Sequence, residues 1–171
     1  KGLFALNRTK FTLSKTHRKL LYNSLIIPHL TYGVTLWGNA PKTHLHKLVT
    51  QQKKAIRIIN QAAYNCHTSP LFKANNILKL HDLYNLSTIK YMQPIIKKTA
   101  PSEIIKLFPF KQTSCTRQLN IRIPIFKKTS SMKSILYMGP KLITSLPIDL
   151  QHQVLSTNIH KIYQQQQLNQ Y

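Results

Sequence analysis

The sequence predicts a mainly α protein: a small helical bundle over residues 1–95, then a less regular α+β basic extension over residues 96–171 with short strands and a terminal helix. Three observations lead there. Apolar residues recur at helical spacing through the first half, most clearly over residues 43–62. Prolines at 94, 101 and 109 then interrupt that pattern and mark a boundary. Beyond them, residues 119–126 read Leu-Asn-Ile-Arg-Ile-Pro-Ile-Phe, an alternation that suits an exposed or edge strand, because Pro124 has no amide to give a central ladder. With 42% apolar and 9% aromatic residues, a chain of 171 residues can bury a real core.

Taken in order, Ser14 stands where an N-cap opens a helix toward Leu20 and Leu25. Pro28 interrupts that run and serves as the first residue of a second short helix ending around Trp37 and Gly38. Thr43 is the expected cap of the clearest helix. In it Leu45, Leu48, Val49, Ala55, Ile56, Ile59 and Ala62 form one stripe, while Lys47, Lys53, Lys54 and Arg57 fall on the opposite side. After a loop at 64–69, residues 70–76 and 80–92 read as two further helices, with Asp82 in the first turn of the second. Leu80, Leu83, Leu86 and Tyr91 are its expected core residues. Further on, residues 135–138 read as a second strand, and Gly139-Pro140 and Leu146-Pro147 frame a short element at 141–145. Ser156 caps a terminal helix through Ile159, Ile162 and Tyr163, which frays in the polar tract at 164–167.

Charge narrows the function. The chain carries 25 Lys and Arg against 3 Asp and Glu, a formal net charge of +22. Charged residues are only 16% of the total, below the roughly 25% usual in soluble domains, so few internal ion pairs are available. Uncompensated cations repel one another, and a polyanion whose counterions are released on binding relieves that repulsion. Nucleic acid is therefore the expected partner. The expected contacts are the ridge of Lys47, Lys53, Lys54 and Arg57, joined by Lys10, Lys15, Arg18 and Lys19 from the acid-free first twenty residues.

Several chemistries are set aside by spacing. Asp82, Glu103 and Asp149 are scattered, whereas a two-metal polymerase or nuclease centre needs clustered carboxylates to hold its cations about 4 Å apart. No metal site is expected at His44 and His46, since i, i+2 residues of a helix point in different directions. Adjacent Cys66 and His67 could act as nucleophile and base only with a third group to orient the imidazole, and adjacent residues rarely meet in that geometry, so a loop thiol and a turn histidine are expected. Four glycines, at 2, 33, 38 and 139, form no phosphate cradle. Residues 20–41 carry no Lys, Arg, Asp or Glu, but Asn23, Ser24, Pro28, His29, Thr31 and Thr35 disfavour a membrane span. Cys66 and Cys115 are too few for a disulfide framework, which points to a reducing intracellular compartment. Tyr22, Tyr32, Trp37, Tyr64, Tyr84 and Tyr91 are interleaved with cations and offer stacking surfaces, although most are expected to be core aromatics. The absence of an initial Met and of a signal-peptide pattern suggests a piece of a longer polypeptide.

Five blocks, in this order, carry a resemblance: residues 21–38 (LYNSLIIPHLTYGVTLWG), 52–59 (QKKAIRII), 67–84 (HTSPLFKANNILKLHDLY), Thr116-Arg117, and 137–147 (YMGPKLITSLP). Together they resemble the C-terminal part of non-LTR retrotransposon reverse transcriptases of the jockey-like LINE group. The chain departs from that family at Ile143, where an aromatic is common, and at Ile159 and His160, where a Phe-Lys pair is common. The resemblance implies a thumb-like domain at 1–95 and a post-thumb extension at 96–171, gripping RNA and DNA as template and primer. It implies that the catalytic Asp-Asp turn and its Mg²⁺ belong to a palm upstream, with an endonuclease domain further upstream, so that this chain carries no catalytic residue and needs no cofactor. It also implies residence in nucleus and cytoplasm as a ribonucleoprotein. Two rivals remain at this point: a non-enzymatic RNA- or DNA-binding protein derived from a retroelement, and a cationic membrane-surface protein. The second is disfavoured because cations and apolar residues lie in separate blocks near the N-terminus.

Overall fold

The computed structural model describes residues 1–110, 121–147, Gln151 and Tyr163. Among these the protein is mainly helical, as expected. The order is α1 (Gly2–Arg8), α2 (Lys15–Leu25), α3 (Ile27–Thr31), α4 (Val34–Trp37), α5 (Lys42–Ile59), α6 (Ser69–Ala74), α7 (Leu80–Ile96), α8 (Ser102–Lys106), a 3-10 turn (Ser131–Lys133) and α9 (Ile135–Ser145). The chain divides into two compact units, Lys1–Tyr84 and Asn85–Gln164, with the division falling inside α7. The expected boundary near residue 95 lies toward the far end of that helix.

Local chemistry explains the helix starts. Ser14 caps α2, its hydroxyl accepting from the His17 amide at 3.5 Å, so this N-cap was legible. Pro28 lies in the first turn of α3, where its missing amide does no harm. The expected second helix is split in two: Gly33 turns the chain at φ 58, a left-handed conformation open to glycine, and α4 begins after it. At the end of α4, Gly38 meets a different demand. A Cβ there would sit 2.4 Å from Tyr84 Cδ2 and 2.5 Å from the Val34 carbonyl oxygen, so only glycine lets this backbone reach the buried ring.

Thr43 is not the cap of α5: the helix starts at Lys42 behind Pro41, with no side-chain cap. It also ends at Ile59, short of Ala62. Gln61 takes φ 52, the Ala62 amide returns to the Arg57 carbonyl at 2.9 Å, and the Gln61 amide bonds the Ile58 carbonyl at 3.2 Å. This paired closure satisfies carbonyls that the helix end would leave bare. The same closure ends α6 at Asn76 (φ 53) and α7 at Lys98 (φ 57).

In the first unit Leu6, Tyr22, Ala55, Ile56, Ile59, Phe72 and Ile77 pack into one buried cluster, which draws α1, α2, α5 and α6 together. Leu80 and Leu86 of α7 are buried as expected; Tyr91 is not, at 41% exposure. Pro94 lies inside α7 rather than ending it, because proline's φ is helical and only one amide is lost near the helix end.

In the second unit, two expectations about strands are corrected. Residues 135–138 form the first turn of α9, and the segment expected at 141–145 is its continuation. Ile135, Gly139 and Ile143 recur every four residues; Gly139 and Ile143 are buried, and a Cβ on Gly139 would meet Met92 Sδ at 2.5 Å. A four-residue apolar run could not distinguish the two states by periodicity. Among the described residues no named strand forms; the alternating segment contributes one isolated antiparallel bridge, Phe110 to Ile121. Residues 111–120, including Cys115 and the Thr116-Arg117 block, and residues 148–171 apart from Gln151 and Tyr163, which take in the expected terminal helix except for Tyr163, lie outside the described residues. No helix among the described residues is long and apolar enough to cross a membrane.

Candidate nucleic-acid interface

Helix α5 supplies the core and the charge from opposite sides. Ala55, Ile56 and Ile59 are fully buried, while Lys47 and Lys53 are exposed and Lys54 and Arg57 are half-buried. Gln52 is also buried, within the inward stripe, a position that an apolar pattern does not reveal.

Where α1 lies against the C-terminal half of α5, a groove of about 510 Å³ opens. Its lining includes Lys10, Lys54 and Arg57, together with Phe4, Asn7, Ile58 and Tyr64. The fold thus brings Lys10, far off in sequence, to the same concavity as two members of the expected ridge. Phe4 and Tyr64 are 67% and 80% exposed, so large aromatic faces stand at solvent among cations. The Arg57 guanidinium lies 5.9 Å from the Tyr64 ring centre, and Arg8 lies 5.7 Å from that of Phe4, both within cation–π range. Arg57 Nε also donates to the Cys66 carbonyl at 3.1 Å, which fixes the guanidinium over the groove. Lys10 Nζ stands 5.1 Å from the ring centre of exposed Phe11.

Arg57 also lines a second groove, of about 410 Å³, with Lys53, Lys79, His67 and His81 in its wall and the hydroxyls of Thr68 and Ser69 beside them. Lys79 Nζ reaches Ser69 Oγ at 3.4 Å. Two cation-bearing depressions thus share one arginine, and such an array can hold successive phosphates.

Arg18 requires a correction. It is 4% exposed, and its guanidinium serves the fold instead of a phosphate. Nε and Nη2 donate to the Ile59 carbonyl at 3.1 and 3.0 Å, and Nη1 donates to the carbonyls of Lys10, at 2.7 Å, and Leu13. The C-terminal end of α5 carries partial negative charge and bare carbonyls, which attract a buried cation where carboxylates are scarce. Lys15 is exposed and Lys19 half-buried on α2, and neither they nor Lys47 line either groove.

Elsewhere, burial pushes the Tyr22 hydroxyl up to about 12, partly offset by its hydrogen bond with Gln52. Exposed Glu103 is held below the usual carboxylate range by the Ser102 hydroxyl, which donates to it at 2.7 Å. Among the described residues no group of three or more His, Cys, Asp or Glu could hold a metal ion.

With this geometry in place, similarity to known proteins adds a second line of information. Over 73 residues the chain is 33% identical to the RNA-directed DNA polymerase from mobile element jockey of Drosophila melanogaster. The match covers 43% of this chain and 8% of that polymerase. No family model matches, and no solved structure matches. The likeness supports a relationship to the reverse transcriptases of non-LTR retrotransposons.

Proposed function

We propose that this chain is a nucleic-acid-gripping portion of a non-LTR retrotransposon RNA-directed DNA polymerase, equivalent to its thumb and the segment that follows. It holds template and primer through phosphate contacts, while nucleotide addition, with its Mg²⁺, belongs to a palm carried elsewhere in the parent protein. An endonuclease domain of the same parent is its other companion. The supporting observation is the groove where Lys10, Lys54 and Arg57 meet exposed Phe4 and Tyr64. Similarity to a polymerase of a mobile element supports the same reading from an independent side.

The three acidic side chains of the sequence, Asp82, Glu103 and Asp149, are far apart along the chain, which suits binding rather than metal-dependent phosphoryl transfer. The test is affinity of the full chain for an RNA/DNA hybrid across a salt series, with two unrelated sequences. About six phosphate contacts give a slope near −5 in log K against log salt on duplex. A flat salt response, or strong preference for one sequence, overturns the proposal.

A further inference from the structure

We infer that the groove between α1 and α5 takes an unpaired nucleotide, stacking its base on Tyr64 or Phe4 and seating its phosphates on Lys10, Lys54 and Arg57. This deepens the function proposed above and rests on it: the occupant is the single-stranded part of a template–primer, in preference to the duplex.

The rings provide the first argument. Tyr64 is 80% exposed and Phe4 67% exposed, although burying such side chains is favourable and the fold has a core available. An exposed ring in a groove of about 510 Å³ leaves an apolar face for a ligand, and that volume suits a small-molecule-sized group. Bases in a duplex cover one another's faces. Only an unpaired base offers a face to an aromatic side chain.

The cations provide the second. Arg57 sits 5.9 Å from the Tyr64 ring centre, so stacking surface and phosphate ligand are adjacent, as they are along a nucleotide chain. Arg57 also borders the second groove, where Lys53 and Lys79 supply further positive charge. A strand crossing Arg57 therefore meets cations on both sides, and its charge complements the wall throughout.

The test uses the full chain and short single-stranded RNA and DNA probes, each carrying one 2-aminopurine, beside a blunt RNA/DNA hybrid of equal length. The expected result is quenching of the fluorescent base on binding and tighter binding of the single strands. Tyr64→Leu with Phe4→Leu abolishes the quench and weakens single-strand binding by about tenfold, a larger loss than on the hybrid, while the thermal midpoint stays unchanged. Tyr64→Phe in a chain retaining Phe4 keeps the quench. A double Leu variant that quenches and binds as before overturns the stacking inference and leaves the cationic interface standing. If instead Lys10→Gln with Lys54→Gln changes neither affinity nor salt slope on any probe, the groove is not the interface and both proposals fall.

Discussion

Gln52 Oε1 accepts the backbone amide of Leu80 at 3.0 Å, tying the middle of α5 to the first residue of α7. The same amide group donates through Nε2 to the Leu78 carbonyl at 2.9 Å and to the Tyr22 hydroxyl at 3.1 Å. One side chain in the core thus answers a helix-start amide, a loop carbonyl and a neighbouring helix. Gln52→Leu should therefore destabilise the fold by about 2 to 4 kcal/mol, because two buried backbone groups are left without partners. Tyr22→Phe should cost less, about 1 kcal/mol, since Nε2 keeps the Leu78 carbonyl. Urea unfolding of both variants checks the order, and a Gln52→Leu midpoint equal to or above that of Tyr22→Phe would contradict it.

Alkali should unfold the protein partly through Tyr22. Buried, its hydroxyl keeps its proton up to about 12, against the ordinary value of 10.0 that an exposed tyrosine of the unfolded chain retains. The folded state therefore holds the proton more tightly, and this contribution is complete below pH 10 and lost as pH rises through 12. The total loss is about 2 to 3 kcal/mol. Stability measured across this alkaline range should fall less steeply for Tyr22→Phe than for the unaltered chain, with equal slopes as the result that counts against a role for Tyr22.

Arg18→Lys should cost roughly 2 to 4 kcal/mol, since a single ammonium cannot reach all the carbonyls that the planar fork serves. Because Arg18 is buried, the protein that remains folded should keep its salt slope on nucleic acid. Denaturant titration and salt-dependent binding on the same variant separate the two roles. An altered slope with an unchanged midpoint would return Arg18 to the interface.

Lys10→Gln combined with Lys54→Gln should lower the magnitude of the salt slope by about 1.4 on single strands, at about 0.7 for each phosphate no longer neutralised. Lys15→Gln combined with Lys47→Gln, which alters neither groove, should lower it less. Neither pair should move the thermal midpoint much, because Lys15 and Lys47 are exposed, Lys10 and Lys54 only half-buried, and charges that reach solvent contribute little to stability. Equal slopes for the two pairs would show that binding follows net charge alone.

Gly38→Ala should destabilise the first unit by about 1 to 3 kcal/mol or more, because the added methyl meets both the buried Tyr84 ring and a backbone oxygen. Circular dichroism melting is sufficient. An unchanged midpoint would mean that α4 can shift away from α7.

What the sequence disclosed depended on how locally each feature is determined. Helix α5 was legible because its 18 residues repeat the apolar stripe over several turns, so Ala55, Ile56 and Ile59 declare the inward face. Its end was not, because closure falls on Gln61, which lacks glycine's signature and enters the left-handed region only when the surrounding bonds hold it. Lys54 and Arg57 were legible as cations opposite that stripe. Phe4 was not, since α1 has seven residues and its meeting with α5 depends on long-range packing. The role of Arg18 was hidden for the same reason: its main acceptor, Ile59, is 41 residues away. The misread strand at 135–138 shows the converse limit, a run too short for its period to decide.

The anchor that Arg18 makes with the end of α5 has a chemical property that an ion pair lacks. Its acceptors are peptide oxygens, which do not titrate, so acidification that would protonate a carboxylate partner leaves this joint untouched. Cohesion between α2 and α5 is therefore separated from the protonation state of the surroundings, and also from the number of acids the chain carries. Cations can accumulate on the outside of such a scaffold, or be stripped from it by substitution, without altering the bond that keeps its first helices in register.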